Sequence, residues 1–139
     1  MTTTVSTTAT QVQANDRMLR IALKADAIAS GVTGLGFVAL GQMHETLYGL
    51  PTALTMPAGI FLLAYAAMVW FTSTRPQINP ALVWTIIIGN AMWVVASATV
   101  TVADLVPLTG LGIAFVALQA AAVALFAELE FIGLRRASR

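Results

Sequence analysis

The stretch ALVWTIIIGNAMWVVASATVTVA, residues 81–103, decides what kind of molecule this is. No charge interrupts it, and at about 1.5 Å per residue a helix of this length crosses a hydrocarbon core of about 30 Å. Yet an amide, Asn90, and an indole, Trp93, sit near its middle. They are three positions apart, and Ser97 and Asp104 follow Asn90 at intervals of seven, so all four fall on one helical face. A buried amide needs a hydrogen-bond partner that lipid cannot supply. The face carrying Asn90 and Trp93 is therefore expected to turn toward protein.

The composition of the whole chain agrees. Of 139 residues, 58% are apolar and 9% are charged; a soluble domain carries roughly 25% charged residues. Three further stretches are long and apolar enough to span, giving spans at about 21–43, 52–72, 81–103 and 107–131. The fold expected is all-α, a four-transmembrane-helix bundle occupying 17–136. A disordered cytoplasmic tail over 1–16, rich in Thr, Ser, Gln and Ala, precedes it, and a short tail over 137–139 follows. Lys24 and Asp26 within the first stretch argue for a retained signal-anchor over a cleaved secretory leader. Prolines punctuate the limits: Pro51, Pro80 and Pro107 suit first-turn positions, and Asn79 suits an N-cap.

Charge then orients the bundle. Arg17, Arg20 and Lys24 open the first span, Arg75 separates the second from the third, and Arg135, Arg136 and Arg139 follow the fourth. All seven basic residues fall on one side of a four-span chain, so the positive-inside rule places both termini in the cytoplasm. Trp70, Phe71, Trp84 and Phe131 gather at that same side as an interfacial aromatic belt, with Tyr48 at the other.

The polar residues inside the spans are the candidate site. Asp26 shares a face with Ser30 and Thr33 on the first helix. Asn90 lies at a similar depth on the third, Gln119 somewhat deeper on the fourth, and Tyr65 is the candidate from the second. A buried polar cluster of Asp26, Ser30, Asn90, Trp93, Gln119 and Tyr65 is expected, either as interhelical hydrogen-bonding glue or as a protonation or ligand site. Nearer the basic side, Arg20 or Lys24 is expected to pair with Glu128 or Glu130. Gly31, Gly34, Gly36, Gly110 and Gly112 offer close-packing surfaces. The repeat of Thr33-Gly34-Leu35-Gly36 as Thr109-Gly110-Leu111-Gly112 reflects either biased composition or a close contact between the first and fourth helices.

Several classes find no support. Without cysteine there is no thiolate metal site or redox pair, and one histidine, His44, cannot supply a bis-histidine haem. His44 and Glu45 alone do not make a metal site. No nucleophile–base pair, phosphate loop or basic nucleic-acid surface is visible. No catalytic residue, metal or cofactor is therefore expected, and the expected partners are the lipid bilayer and other membrane proteins or a second copy.

The segments Leu19 to Ala27, Ser30-Gly31, Tyr48 to Pro51, Asn90 with Trp93, and Ala127 to Arg136 together resemble a family of bacterial four-span integral membrane proteins to which no activity is assigned. The resemblance covers roughly 19–136 and implies a compact four-span protein in the bacterial cytoplasmic (inner) membrane. Asp26 is similar in placement to the acidic residue of small multidrug-resistance transporters, but the surrounding motifs differ and no residue is carried over. The function expected is that of a small non-enzymatic accessory, assembly or self-associating subunit of a membrane complex. The alternatives are a proton-coupled small-solute transporter or channel using Asp26, and a lipid- or quinone-binding protein.

Overall fold

The computed structural model describes residues 2–139, with side chains from Asp16 onward. The expected disordered tail over 1–16 lies, apart from Asp16, outside the residues so described. Five helices follow one another: α1 (Thr2–Ala39), α2 (Gly41–Tyr48), α3 (Thr52–Thr74), α4 (Pro80–Val102) and α5 (Gly110–Ala137), with no strand among the described residues. Four stretches, Asp16–Ala39, Thr52–Thr74, Pro80–Val102 and Gly110–Ala137, are long and apolar enough to cross a membrane. This is a multi-pass, all-helical architecture.

Helix limits follow local chemistry. Asn79 caps α4 by accepting from Ala81 N at 2.9 Å, with Pro80 in the first turn, where its missing N–H has no intrahelical partner to lose. The start of α5 differs from the expected first turn at Pro107. Thr109 is the N-cap, its Oγ1 accepting from Gly112 N at 3.0 Å, and Pro107 stays in the preceding loop. The first span also ends sooner than expected. The backbone leaves helical geometry at Leu40 (φ −121°, ψ 31°), and 41–48 form the separate helix α2. That helix closes on Gly49 in the left-handed region (φ 72°), whose N–H satisfies the Glu45 carbonyl.

The short helix α2 fastens the end of the bundle away from the basic residues. Glu45 Oε2 accepts from Thr52 Oγ1 at 2.7 Å and Thr52 N at 3.2 Å, occupying the start of α3, where acceptors are favoured. Those two bonds, the hydroxyl's first, hold the exposed Glu45 carboxyl below its ordinary value. Gly112 passes so close to the Tyr48 carbonyl that no side chain fits between them. Tyr48 stacks on Phe115 with ring centroids 4.6 Å apart, and His44 meets Phe37 edge-on at 5.1 Å.

In the bundle, α1 packs along α3 on one side and α5 on the other, and α4 leans mainly on α5. The contact between α3 and α4 is slight. Small residues set the close approaches. A Cβ on Gly34 of α1 would lie 2.9 Å from the Gly59 carbonyl of α3, and one on Gly59 would lie 2.8 Å from the Gly34 carbonyl. Here two backbones touch directly, a packing mode suited to membranes because van der Waals contact, rather than expulsion of water, holds such helices together. At the basic end Gly133 of α5 abuts the Leu19 backbone of α1.

Of the two readings of the repeated Thr-Gly-Leu-Gly run, biased composition or a contact between the runs, the glycines do not make the contact. Gly34 faces α3 and Gly112 faces α2, while a Cβ on Gly110 would meet nothing within 4 Å. Gly31 and Gly36 have only ordinary neighbours, Ala66 at 3.6 Å and His44 at 3.8 Å. The first-to-fourth-span contact exists, but at Leu19 and Gly133.

At the basic end Arg136 Nη1 lies 3.5 Å from Met18 Sδ, so the opening of the first span and the close of the last are neighbours. The belt aromatics carry cations over their faces: Lys24 Nζ is 5.9 Å from the Trp70 ring, Arg75 4.5 Å from Phe71, and Arg135 5.6 Å from Phe131. Rings that are apolar on one side and bound to a cation on the other suit a membrane interface.

Candidate functional site

Four spans contribute one side chain each to a single buried polar cluster: Asp26 from α1, Tyr65 from α3, Asn90 from α4 and Glu130 from α5. Their exposures are 0%, 9%, 3% and 0%. Asn90 is the hub. Its Nδ2 donates to Asp26 Oδ2 at 2.9 Å and to Glu130 Oε2 at 3.0 Å, and its Oδ1 accepts from the Tyr65 hydroxyl at 2.8 Å. The Tyr65 oxygen also lies 3.2 Å from Asp26 Oδ2 and 3.3 Å from the Ile86 carbonyl. Ser30, one turn beyond Asp26, donates to Asp26 Oδ1 at 3.0 Å. Glu130 Oε1 is buried with no partner among the described residues.

The cluster holds two carboxyl groups on one amide, and among the described residues no basic side chain bonds to either. Two adjacent carboxylates disfavour each other's charge, and burial disfavours both. The Tyr65 hydroxyl has a single hydrogen, and three acceptors lie within its reach, Asn90 Oδ1 nearest, then Asp26 Oδ2 and the Ile86 carbonyl.

A second polar layer lies farther from the basic end. Trp93 Nε1 donates to Gln119 Oε1 at 2.8 Å, and Gln119 Nε2 donates to Ser97 Oγ at 3.0 Å and to the Val116 carbonyl at 2.9 Å. The six residues expected in one cluster are thus divided. Asp26, Ser30, Tyr65 and Asn90 are joined, whereas Trp93 and Gln119 form their own pair with Ser97. A cavity of about 70 Å³ lies between the layers, touching Ser30 on one side and Trp93 and Gln119 on the other. A larger one, about 140 Å³, opens beyond the second layer in the seam between α3 and α4.

Glu130 is the residue whose place differs most from expectation. It does not pair with Arg20 or Lys24. Arg20 instead bonds Asp16 at 3.0 Å and donates to the carbonyls of Ser73 (2.9 Å), Arg75 (2.7 Å) and Pro76 (2.9 Å), tying α1 to the end of α3. Carbonyls at a helix C-terminus, with the partial negative charge of the helix dipole, attract a guanidinium strongly. Lys24 rests against Trp70, and Glu128 is exposed. The signal for Glu130 was its spacing from Gln119. Eleven residues make close to three full turns, so the two share a face that Glu128, two positions away, cannot.

Among the described residues no three His, Cys, Asp or Glu side chains come together as a metal site would require. His44 is buried, with Nδ1 2.8 Å from the Leu40 carbonyl. Asp104, expected at the end of the Asn90 face, lies past α4 in a left-handed turn (φ 52°) and is exposed.

Fold and site together define a multi-pass helical membrane protein with a carboxyl pair buried among its four spans. Comparison of the chain with protein-family profiles, curated proteins and solved structures gives no match.

Proposed function

We propose that the protein is a proton-coupled carrier of a small solute, with the Asp26–Glu130 pair as its proton site. The observation that supports this most is the convergence of all four spans on two carboxyl groups joined by one amide. A proton arriving at or leaving this site changes the charge at the one point every span touches, so it acts on the packing of the whole bundle. Acidic groups within spans are costly to keep and commonly mark proton paths. In proteoliposomes, an imposed pH gradient is expected to drive solute-dependent proton uptake, and Asp26→Asn or Glu130→Gln to reduce it at least tenfold. Unchanged uptake in both variants would remove the reading.

The reading includes an orientation. With the basic, aromatic-belted end in the cytoplasm of a bacterial inner membrane, both termini are cytoplasmic. The chain has no cysteine, so Ser138→Cys and Gln42→Cys label cleanly. An impermeant maleimide applied outside intact cells should modify the second and spare the first, and the reverse pattern would invert the topology.

A second reading, an accessory or self-associating subunit, rests on a different observation. The most apolar windows of α4 and α5 are only 17% and 11% buried, against 39% and 33% for the first two spans. These open faces would suit a neighbouring membrane protein or a second copy. A homogeneous monomer in native-lipid nanodiscs, with no co-purifying chain, would count against it.

A further inference from the structure

In the groove between α1 and α5 we infer a site for one anionic phospholipid, its phosphate at the basic end and one acyl chain along the seam. The groove begins in a space of about 370 Å³ lined by Arg17, Met18 and Ala25 of α1 and by Phe126 and Leu129 of α5. Phe126 also lines the small cavity that touches Ser30 and Gln119, so the two spaces follow one another along the same pair of helices. Met18, Ala25 and Thr33 are spaced by seven and eight residues, and Leu129, Phe126 and Gln119 by three and seven, so each set occupies one helical face. From Arg17 to Thr33 the seam runs about 24 Å at about 1.5 Å per residue. One leaflet, headgroup included, is about 20–22 Å deep. The length matches a single lipid in one leaflet.

The two ends of the groove differ in chemistry. Arg17 is exposed, lines the mouth, and pairs with no carboxylate among the described residues. The Arg136 guanidinium lies against the sulfur of Met18, which lines the same mouth. A thioether is a weak acceptor, so the donors of Arg136 stay available. No acidic side chain lines either space. Two planar guanidinium groups suit phosphate oxygens, and they favour a headgroup that carries no ammonium of its own. Along the seam Ala22, Ala25 and Ala29 leave room for a chain on the α1 side. At the deep end Ser30 donates to Asp26, Thr33 to the Ala29 carbonyl, and Gln119 to Ser97 and the Val116 carbonyl. Those donors are already committed, so the end of a hydrocarbon chain strands none of them.

The inference does not depend on the proton site, because lipid retention is read at one pH with no gradient. The full chain, purified in mild detergent, is given an equimolar mixture of phosphatidylglycerol and phosphatidylcholine with identical acyl chains, and the lipids that stay bound are counted by native mass spectrometry. One phosphatidylglycerol per chain is expected, preferred about five- to thirtyfold over phosphatidylcholine, since each arginine near a membrane surface favours an anionic headgroup about fivefold. Arg17→Gln combined with Arg136→Gln should erase the preference. Arg75→Gln combined with Arg135→Gln removes the same charge from cations set over Phe71 and Phe131, and should keep it. Ala25→Phe, a change at an exposed position of the groove, should displace the lipid of either class. Equal retention of the two lipids by the unmodified protein would overturn the inference, and that comparison needs no variant to fold. A preference that falls equally in the two charge-matched pairs would overturn it as well, showing attraction to the basic end at large. So would a lipid that Ala25→Phe leaves in place.

Discussion

Asn90→Ala should lower the stability of the folded bundle by about 2–4 kcal/mol, the largest loss expected from removing one polar side chain in this protein. The magnitude comes from counting what is stranded. Asn90 bonds Asp26, Glu130 and Tyr65, and a single interhelical hydrogen bond in a membrane is typically worth about 0.6–2 kcal/mol. Removal of the hub leaves two carboxyl groups and a phenol buried without it, so the loss exceeds that of one bond. Trp93→Phe supplies the comparison, because it breaks one bond, to Gln119, and should cost about 1 kcal/mol. Both are measured by detergent-denaturation titrations of the purified protein followed by circular dichroism. Equal, small losses for the two would show that Asn90 is not the hub.

The second large effect concerns backbone contact. Gly34→Leu should prevent α1 and α3 from closing, with loss of about 3 kcal/mol or more, because even a Cβ there would lie 2.9 Å from a carbonyl oxygen that cannot move aside. Gly34→Ala should cost about 1–3 kcal/mol by the same overpacking argument. Gly31→Ala and Gly110→Ala are the controls, since the first meets Ala66 at an ordinary 3.6 Å and the second meets nothing within 4 Å. Neither control should destabilise. If all three alanine variants behaved alike in the same titration, the Gly34–Gly59 crossing would not be what holds α1 to α3.

These two effects also separate what the sequence disclosed from what it withheld. Helical spacing placed Ser30 one turn from Asp26 and Trp93 beside Asn90, because those relations lie within single helices and the 3.6-residue period is enough to find them. Counting residues from helix ends placed Asp26 level with Asn90, and they are 2.9 Å apart. Partnerships between helices were harder. Depth alone places Glu130 with Arg20 near the membrane surface, because it says nothing about which way a side chain faces. Gly59, beside Pro57, carries no local signature of its packing role. The helix α2 was hidden for a related reason: 41–48 is short, polar and adjacent to a span, so the break at Leu40 is a backbone event that composition does not announce.

The polar residues inside the bundle fall into two layers at different depths. The carboxyl pair sits toward the basic end, the Trp93–Gln119 pair beyond it, and the small cavity touches both layers. Trp93 and Gln119 also line the larger cavity.

The most direct test of the central claim is infrared spectroscopy of the reconstituted protein at neutral pH, reading the carbonyl stretch of protonated carboxylic acids. A proton site at Asp26 and Glu130, as proposed, predicts one such band that resists exchange in heavy water and is lost or shifted in both Asp26→Asn and Glu130→Gln. A spectrum with no protonated carboxyl at neutral pH, or a band that neither substitution alters, would contradict it.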